Sequence, residues 1–348
     1  MTSRATEHHP RVFMKRHGNL FAQIASSENL MMAYQRASRG KKHMRNVQRF
    51  EQDVPGNVEC IRQMLVNKTF TTSRYQSKMI HEPKTREIFV LPFAPDRIVQ
   101  HALMAVLAPI WDKLMISDSY ACRNGKGQHA GSRRAMEFVR RYKYCLQCDV
   151  AKFYPSIDQQ TLSNIVRQKV KCPDTLWLLD DIIFSYPGDK NVPIGNYTSQ
   201  WFGNLYLNEL DQLIKQVHRV KGYLRYCDDF CLFGDDKSFL QRMKETIRQF
   251  LADRLQLRFS FAEVFPVSHG VDFLGYRHFK NHILLRKSTA TRVKRRLADL
   301  PRKIAAGLLN KDQARSSLAS TRGWLKWANT RNLIVATKLQ ELEAAYAR

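Results

Sequence analysis

The spacing of apolar residues changes along the chain from a helical period to a strand-like pattern and back. In DRIVQHALMAVLAPIWDKLM (residues 96–115), apolar side chains recur three and four positions apart, which predicts a helix. The short apolar runs in REIFVLP and GYLRYCDDFCLF are bounded by turn-forming residues and favour strands instead. From residue 286 onward the pattern is helical again, and the surrounding positions are basic.

These patterns predict a mixed chain with a purely helical end. The first predicted elements are helices within 20–70, a hairpin in HEPKTREIFVLPF, a helix at 96–115, and a Gly-interrupted loop at 119–131 that leads into a helix. They are followed by a strand that ends at Asp149, a helix at 156–170 capped by Ser156 or Asp158, a long helix after the loop at 193, and a hairpin at 222–233. The last elements are a helix at about 236–255, strands at about 257–261, 271–276 and 283–285, and helices from 286 to 348. This order indicates an α+β fold with an appended helical subdomain.

The hairpin GYLRYCDDFCLF raises a chemical question, because two adjacent acids interrupt an apolar stretch. Asp228 and Asp229 stand at the predicted turn between the two strands. Aspartate favours turns by hydrogen bonding to its own backbone, so a plain solvated turn is one interpretation. A functional carboxylate pair is the other, and the hairpin alone leaves both open.

The net charge favours a polyanionic partner. Lys and Arg number 57 against 31 Asp and Glu, a formal charge of +26. Such an excess repels itself unless an anionic partner neutralises it, and nucleic acid is the commonest partner of this kind. An anionic membrane surface is the alternative, but the sequence contains no apolar run of 18 residues and so predicts no membrane span.

The cysteines indicate reduced thiols. There are seven, an odd number, and their spacings do not form a disulfide framework. Cys145 and Cys148 make one C-x-x-C, but residues three apart on a strand face opposite sides, which disfavours a zinc or redox site. The N-terminus lacks the apolar core of a secretory signal. We therefore expect a cytoplasmic protein.

A third acid suggests a metal site. Asp149 closes the strand LQCD, about 80 residues before the Asp228–Asp229 hairpin. If both strands belong to one sheet, three carboxylates can meet at one edge, where each needs a cation to stay ionised. Two Mg²⁺ ions held by such a cluster promote in-line phosphoryl transfer. The sequence therefore predicts a two-metal site at Asp149, Asp228 and Asp229.

The stretches DVAKFY, from Asp149, and YCDD, from Tyr226, resemble motifs A and C of the reverse transcriptases. Further stretches resemble the family's other motifs in the expected order: EPKTREIFV and SYACRNGKGQHAG in the fingers, PIGNYTSQWFGNLYLNELD as motif B, VDFLGY as the primer grip and RGWLKWA in the thumb. The resemblance implies a right-hand polymerase architecture of fingers, a palm with an antiparallel sheet, and a helical thumb. We expect a basic N-terminal extension at 1–20, fingers with the start of the palm at 21–144, palm at 145–285 and thumb at 286–348.

The residues of motif B indicate which group of reverse transcriptases the chain resembles. Many reverse transcriptases have Pro-Gln-Gly there, whereas this chain has Ile194 in PIGNYTSQ, which resembles the enzymes of diversity-generating retroelements. That family copies a template-repeat RNA into cDNA with frequent errors at adenines, in mutagenic retrohoming. It implies a small basic helical accessory protein, a pentamer, as a partner besides template RNA, a DNA or RNA primer and dNTPs. Retron and defence-associated reverse transcriptases, or a non-catalytic RNA-binding derivative, are the alternatives.

The absence of maturase-type and endonuclease regions after the helical tail fits the retroelement family better than a group II intron protein. Retron enzymes are similarly short, but the sequence does not match their thumb signature. From the resemblance we therefore expect a retroelement enzyme, encoded by a bacterium or a phage, and not a group II intron protein or a retron enzyme.

The resemblance also assigns roles to residues. Asp149, Asp228, Asp229 and the Val150 carbonyl are the implied ligands of two Mg²⁺ ions, and the three aspartates are the catalytic set. The implied nucleotide-binding residues are Lys84, Arg86, Val150, Tyr154, Ile194 and Gln200, with Ser199 supporting the motif B turn and Tyr154 acting as a steric gate against ribose. A general acid is not assigned, since the relevant segment offers Glu263 and, further on, His269.

Nucleic-acid contacts are predicted from basic residues. Arg123 and Lys126 lie in a Gly-flanked loop, and the backbone of such a loop can approach a template closely. The segment from Arg286 to Arg296 has six positive charges in eleven residues and no acid. Its candidates are Arg286, Lys287, Arg292, Lys294, Arg295 and Arg296, with a solvated helix face as the alternative. Trp324 and Trp327 are expected to be core residues on one helix face.

Overall fold

The computed structural model describes residues 16–80 and 85–346. Most of the predicted N-terminal extension, and Lys84, lie outside these residues. The helices are α1 (Phe21–Ile24), α2 (Ser27–Ser38), α3 (Arg45–Glu51), α4 (Val54–Val66), α5 (Ile98–Asp112), α6 (Gln128–Arg141), α7 (Phe153–Ser156), α8 (Gln159–Arg167), α9 (Pro173–Ile183), α10 (Tyr197–Gln212), α11 (Lys237–Leu255), α12 (Lys287–Ala305), α13 (Lys311–Leu325), α14 (Arg331–Ala336) and α15 (Leu339–Tyr346). The strands are β1 (Gln76–Ile80), β2 (Arg86–Val90), β3 (Tyr144–Val150), β4 (Gly222–Tyr226), β5 (Asp229–Gly234), β6 (Phe259–Pro266), β7 (Val271–Phe273), β8 (Tyr276–His278) and β9 (Ile283–Leu285).

The chain divides into two compact units. The first comprises Met1–Met115 and Lys152–Glu209, and the second comprises Ile116–Ala151 and Leu210–Arg348. Each unit is therefore built from two separate stretches of sequence. The predicted boundaries between fingers, palm and thumb remain predictions.

The first unit is mainly helical, with one antiparallel hairpin formed by β1 and β2. Local sequence starts several of its helices. Ser26 accepts a hydrogen bond from the Asn29 backbone N–H, and Asp158 does the same for Thr161 at 2.7 Å. The side chains that cap helices satisfy backbone donors that have no partner within the helix. The predicted capping role of Asp158 is confirmed.

The second unit contains a four-stranded antiparallel sheet with the order β4-β5-β3-β6. The face that carries Cys145 and Cys231 packs against Phe138 and Val139 of α6. On the strand period, Cys148 points to the opposite face, and Lys244 of α11 influences its pKa there. Helices thus cover both faces, which explains why these strands read as nearly continuous apolar runs.

A second, three-stranded antiparallel sheet follows, with the order β7-β8-β9. The sequence predicted one strand over 271–276, but the structure has two, β7 and β8. Leu274 and Gly275 both have positive φ, 56° and 81°, and they form the two-residue turn that separates the strands. Such turns match the twist of a hairpin, so the apolar run folds back on itself instead of continuing.

The end of the chain is helical, as predicted. The helices α12, α13 and α15 bury a core of leucines that includes Leu297, Leu318 and Leu339. Trp324 lies near the end of α13, whereas Trp327 lies beyond it, so the two are not on one helix face. The combination of helices with antiparallel sheets agrees with the predicted α+β class. Within the described residues, none of the helices combines the length and the apolarity needed to cross a bilayer.

Candidate active site

The sheet register brings two of the three predicted acids together. Asp149, near the end of β3, pairs directly with Asp229, the first residue of β5. Directly opposed residues on antiparallel strands point to the same face, with Cβ atoms about 4.5–5.5 Å apart, and like charges in that arrangement repel each other. Asp228 lies in the adjoining turn and, with Asp149, acts electrostatically on Asp229. The three acids therefore lie at one end of one sheet.

The turn before Asp229 is a tight two-residue connection. Tyr226 pairs with Asp229, so Cys227 and Asp228 alone join β4 to β5. Cys227 has φ +54°, as the first central residue of such a turn requires. A residue with a Cβ rarely adopts this conformation, and strained backbone of this kind clusters at functional sites.

A β-bulge shapes the end of β3. The pairing with β6 shifts between Asp149 and Val150, so that Ser260 is passed over. The Ser260 hydroxyl donates hydrogen bonds to the Asp149 carboxylate and, at 3.1 Å, to the Asp149 carbonyl oxygen. Bulges often lie next to active sites, where they redirect a side chain. Ser260 therefore orients Asp149, a role that the sequence did not indicate.

The environment of Asp229 disfavours its negative charge. Burial, then the negative charges of Asp149 and Asp228, raise the pKa of this carboxyl group to about 8, while Arg286 partly opposes the shift. Its Oδ1 atom is buried and has no hydrogen-bond partner in the protein. A buried acceptor without a donor is costly, and a cation would satisfy it.

The carboxylate oxygens of Asp149, Asp228 and Asp229 are chemically suited to bind a divalent cation. Carboxylate oxygens are the ligands that Mg²⁺ prefers, and one of these oxygens lacks any protein partner. Among residues 16–80 and 85–346, however, no three acidic, histidine or cysteine side chains already enclose a point that a metal ion could occupy. The predicted ligands thus share one end of the sheet without forming a closed cage.

A buried ion pair supports the acidic hairpin from behind. Arg225 of β4 and Asp211 at the end of α10 are both fully buried, with Nη2 to Oδ2 at 2.6 Å. The Tyr223 hydroxyl also donates to Asp211, at 2.6 Å. Arg225 Nη1 donates to the Cys227 carbonyl oxygen at 3.0 Å, which ties the network to the turn itself. An arginine inside an apolar strand signals a buried acid partner, and that signal was available in GYLRYC.

The two predicted cations of the loop at 119–131 contact their own chain. Arg123 Nη1 donates to the carbonyl oxygens of Ile116 and Ser119, at 2.6 and 3.0 Å. Lys126 Nζ donates to the Ser117 carbonyl oxygen at 2.8 Å. These bonds stabilise the loop at 119–131, so the predicted template contacts of both residues stay predictions.

Arg286 differs from the other cations of its segment. Its Nε donates to Asp272 Oδ1 at 2.5 Å, and it influences the pKa of Asp229. It therefore lies beside the acidic cluster. The remaining candidates lie on α12, where they are exposed except for the half-buried Arg292: Lys287, Arg292, Lys294, Arg295 and Arg296.

In the first unit, the motif B loop is joined to the strand that carries Arg86. The Phe89 backbone N–H of β2 donates to the Ile194 carbonyl oxygen at 2.8 Å. Gly195 has φ +123°, and a Cβ there would lie 2.4 Å from the Phe89 carbonyl oxygen, so only glycine fits. Ser199 is buried and donates to the Pro193 carbonyl oxygen at 2.7 Å, which supports the predicted role of Ser199 in this turn.

Tyr154 packs against α10. It lies on the single-turn helix α7 and is half-buried, while Gln200 is exposed on α10. A Cβ at Gly203 would lie 3.0 Å from the Phe153 ring and 3.1 Å from the Tyr154 ring. Gly203 thus allows the tyrosine ring to approach the helix closely, a contact that the sequence did not reveal.

Comparison with known proteins agrees with this arrangement. Residues 80–278 match the family described as reverse transcriptase (RNA-dependent DNA polymerase), which is more than half of the chain. The chain is 23% identical to Protein YkfC of Escherichia coli (strain K12) over an alignment of 234 residues, and the match covers 54% of this chain and 61% of that protein.

A second relative is Nuclear intron maturase 4, mitochondrial, of Arabidopsis thaliana. This relative is 21% identical over an alignment of 162 residues, and the match covers 44% of this chain and 20% of that protein. The chain therefore spans less than two thirds of the length of both relatives. From the family match, together with the paired acids of β3 and β5, we conclude that the chain belongs to the reverse transcriptase family.

Proposed function

We propose that this reverse transcriptase synthesises cDNA on a template-repeat RNA, as part of a diversity-generating retroelement, with low fidelity at adenines. Family membership supports RNA-directed DNA synthesis. The retroelement assignment depends on one observation, the Ile194-Gly195 pair where many reverse transcriptases have Gln-Gly.

In this proposal the four-stranded sheet is the palm of a right-hand polymerase. The β2 strand and the motif B loop belong to the nucleotide-binding surface, and α12 to α15 form the thumb. Arg86, and Lys84 before it, would bind the triphosphate, since a guanidinium group suits phosphate oxygens. The primer and template would contact the basic residues of the loop at 119–131 and of α12.

The acids are the proposed catalytic residues. Two Mg²⁺ ions, held by Asp149, Asp228, Asp229 and the Val150 carbonyl oxygen, would activate the primer 3′-hydroxyl and neutralise the leaving pyrophosphate. Ser260 would hold the Asp149 carboxylate in one orientation through its hydrogen bond. The Arg225–Asp211 pair would hold the Cys227 carbonyl, and with it the turn that presents Asp228.

Ile194 is the proposed determinant of low fidelity. An amide side chain can donate and accept hydrogen bonds and so restrain the nucleotide, whereas an aliphatic side chain offers only shape. The hydrogen bond from the Phe89 backbone N–H holds the Ile194 carbonyl oxygen, and the Ile194 side chain is half-exposed. A glutamine could therefore replace the isoleucine without loss of a buried contact.

The decisive experiment sequences cDNA made by the Ile194→Gln enzyme on a template rich in adenines. We expect fewer errors opposite adenine, with errors at other bases less affected. Ile110→Gln, the same exchange at a half-buried position of α5, is the control, and Asp228→Asn provides the background without catalysis. An unchanged adenine error spectrum in Ile194→Gln would exclude the fidelity role of Ile194.

The cDNA itself separates the alternatives. A copy of a template repeat with scattered adenine errors supports the retroelement, a short unique DNA indicates a retron-like enzyme, and untemplated sequence indicates a defence-associated enzyme. Synthesis in wild type that is lost in Asp228→Asn excludes a non-catalytic RNA-binding derivative. In the retroelement, a small basic helical accessory protein, forming a pentamer, would act with the enzyme and its RNA.

A further inference from the structure

Two cysteines meet directly beside the acidic turn. The segments before them run side by side, since the Arg225 N–H donates to the Asp118 carbonyl oxygen and the Tyr120 N–H donates to the Arg225 carbonyl oxygen, both at 2.9 Å. Two residues further along each segment lie Cys122 and Cys227, whose thiols share a hydrogen bond.

The backbone holds both cysteines in an unusual conformation. Cys122 has φ +56° and Cys227 has φ +54°, both in the left-handed region. Cys122 is exposed and Cys227 is partly exposed, so a small oxidant can reach the pair. The other thiols of the second unit, at Cys145, Cys148 and Cys231, are buried.

We propose that Cys122 and Cys227 are a redox modification site, which a disulfide closes and a thiol reductant reopens, and that the closed form cannot add nucleotides. The second half of this proposal rests on the polymerase activity proposed above. The first half concerns only the bond between the two sulfur atoms.

Oxidised glutathione can form the bond in two balanced steps. The Cys122 sulfur attacks one sulfur of the glutathione disulfide, whose S–S bond breaks and releases one reduced glutathione. The Cys227 sulfur then attacks the Cys122 sulfur and displaces the second glutathione. The two thiol protons leave with the two glutathione molecules, which are reduced as the protein pair is oxidised.

The position of Cys227 explains the expected loss of activity. A disulfide bond is about 2.05 Å long and requires a restricted dihedral angle, so it draws the two sulfur atoms much closer than a thiol–thiol contact does. Cys227 is one of only two residues in the β4–β5 turn, and Asp228 is the other. Movement of Cys227 toward Cys122 therefore displaces Asp228 from its place beside Asp149 and Asp229.

The test treats purified full chain with defined ratios of oxidised to reduced glutathione. Peptide mapping by mass spectrometry under non-reducing conditions measures the Cys122–Cys227 link, and primer extension measures nucleotide incorporation. We expect the linked peptide to accumulate as incorporation is lost, and dithiothreitol to restore both. No linked peptide at the most oxidising ratio overturns the proposal.

Variants separate this pair from general oxidation. Cys122→Ser should incorporate nucleotides when reduced and keep that activity when oxidised, with Cys122→Ala as a second form if the serine variant does not fold. Cys60→Ser, which removes another exposed thiol, should lose activity as wild type does. Equal inactivation of Cys122→Ser and wild type would overturn the switch.

The mass measurement also distinguishes this failure from failure of the proposed function. A reduced wild-type chain that forms the link on oxidation, but never extends a primer, contradicts the polymerase proposal and leaves the thiol chemistry standing. A chain that extends primers equally well with the link formed contradicts the switch alone.

Discussion

Arg225 and Asp229 are two ionisable residues of one hairpin, and their hydrogen-bond partners differ. Arg225 has a complete set of acceptors in Asp211 and the Cys227 carbonyl. Asp229 has a buried oxygen with no donor and a raised pKa. A buried ionisable group with all its partners stabilises the structure, whereas one with a buried oxygen that lacks a partner is a candidate for ligand binding.

Breaking the buried network should destabilise the protein strongly. Arg225→Met leaves Asp211 charged and buried without its partner, and we expect a loss of roughly 3–5 kcal/mol in the free energy of unfolding. Urea denaturation measures this loss. The triple variant Arg225→Met, Asp211→Leu and Tyr223→Phe replaces the whole network by apolar groups and should be more stable than the single variant. Equal instability of the two would contradict the argument from an unpaired charge.

Tyr154 provides a test of sugar selection. If its ring is the steric gate, Tyr154→Val should raise the acceptance of ribonucleotides relative to deoxynucleotides by about tenfold or more, since even small steric differences are worth about 1–3 kcal/mol. Parallel primer extensions with the two nucleotide types measure the ratio. Tyr186→Val removes another half-buried tyrosine of the first unit and should not change the ratio. An unchanged ratio in Tyr154→Val would exclude the gate.

Helices α5 and α10 are joined by an aromatic pair and a cap. The His101 and Tyr197 rings stack with centroids 4.4 Å apart and planes 14° apart. The Tyr197 N–H, at the start of α10, donates to the Gln100 side chain at 3.1 Å. Burial, then the nearby cations Lys41, Arg36 and Arg97, lower the pKa of His101 to about 4. The contact between these helices thus depends on a neutral imidazole.

The contribution of His101 to stability should therefore fall with acid in a defined window. Unfolded His101 binds a proton below a pKa of 6.5, whereas the folded form resists protonation until about 4. At this site the unfolded state binds more protons between these values, so His101 lowers the free energy of unfolding as pH falls from 6.5 to 4. Asp229 acts in the opposite direction, because its raised pKa makes the folded state bind the extra proton.

Urea titrations across that window should give a smaller slope of the free energy of unfolding against pH for His101→Phe, which keeps the ring stack, than for wild type. Both chains share the contributions of His278, whose pKa is lowered by burial, and of Asp229, whose raised pKa acts in the opposite direction. His43→Phe, at an exposed position, is the control for loss of an imidazole. A slope in His101→Phe equal to that of wild type would contradict the assignment.

For the whole molecule, the charge of +26 is unevenly distributed. Residues 286–348 carry 15 Lys and Arg against 4 Asp and Glu. Among the α12 candidates, Lys294, Arg295 and Arg296 are exposed. Exposed positive charges attract a polyanion such as nucleic acid, and dissolved salt shortens the distance over which this attraction acts.

Nucleic-acid binding should accordingly depend on salt through α12. Replacing Arg295 and Arg296 by Ala should reduce the slope of log affinity against log salt by about 0.9 for each side chain that contacts a duplex phosphate. Fluorescence anisotropy with an RNA–DNA duplex at several salt concentrations measures the slope. Lys237 and Arg254, exposed at the ends of α11, provide a matched double-alanine control. Equal slopes for both double variants would assign these arginines to a solvated face.

Many features of this protein follow from the order of its residues alone. Helical and strand periods predicted the mixed class, the hairpin at Asp228 and the helical end, because a side chain's spacing reflects the face that it buries. The three acids were recognisable because carboxylates are expensive in apolar strands unless they serve a purpose. The family resemblance was carried by short motifs whose order is visible without coordinates.

Which distant groups lie together depends on how the chain folds. The register of β3 with β5 places Asp149 opposite Asp229, and the bulge beside β6 brings in Ser260. The Arg225–Asp211 pair and the Cys122–Cys227 pair likewise join positions that have no shared pattern along the chain. Local periodicity reports which residues are buried, but strand register and loop packing, set by the whole fold, choose their partners.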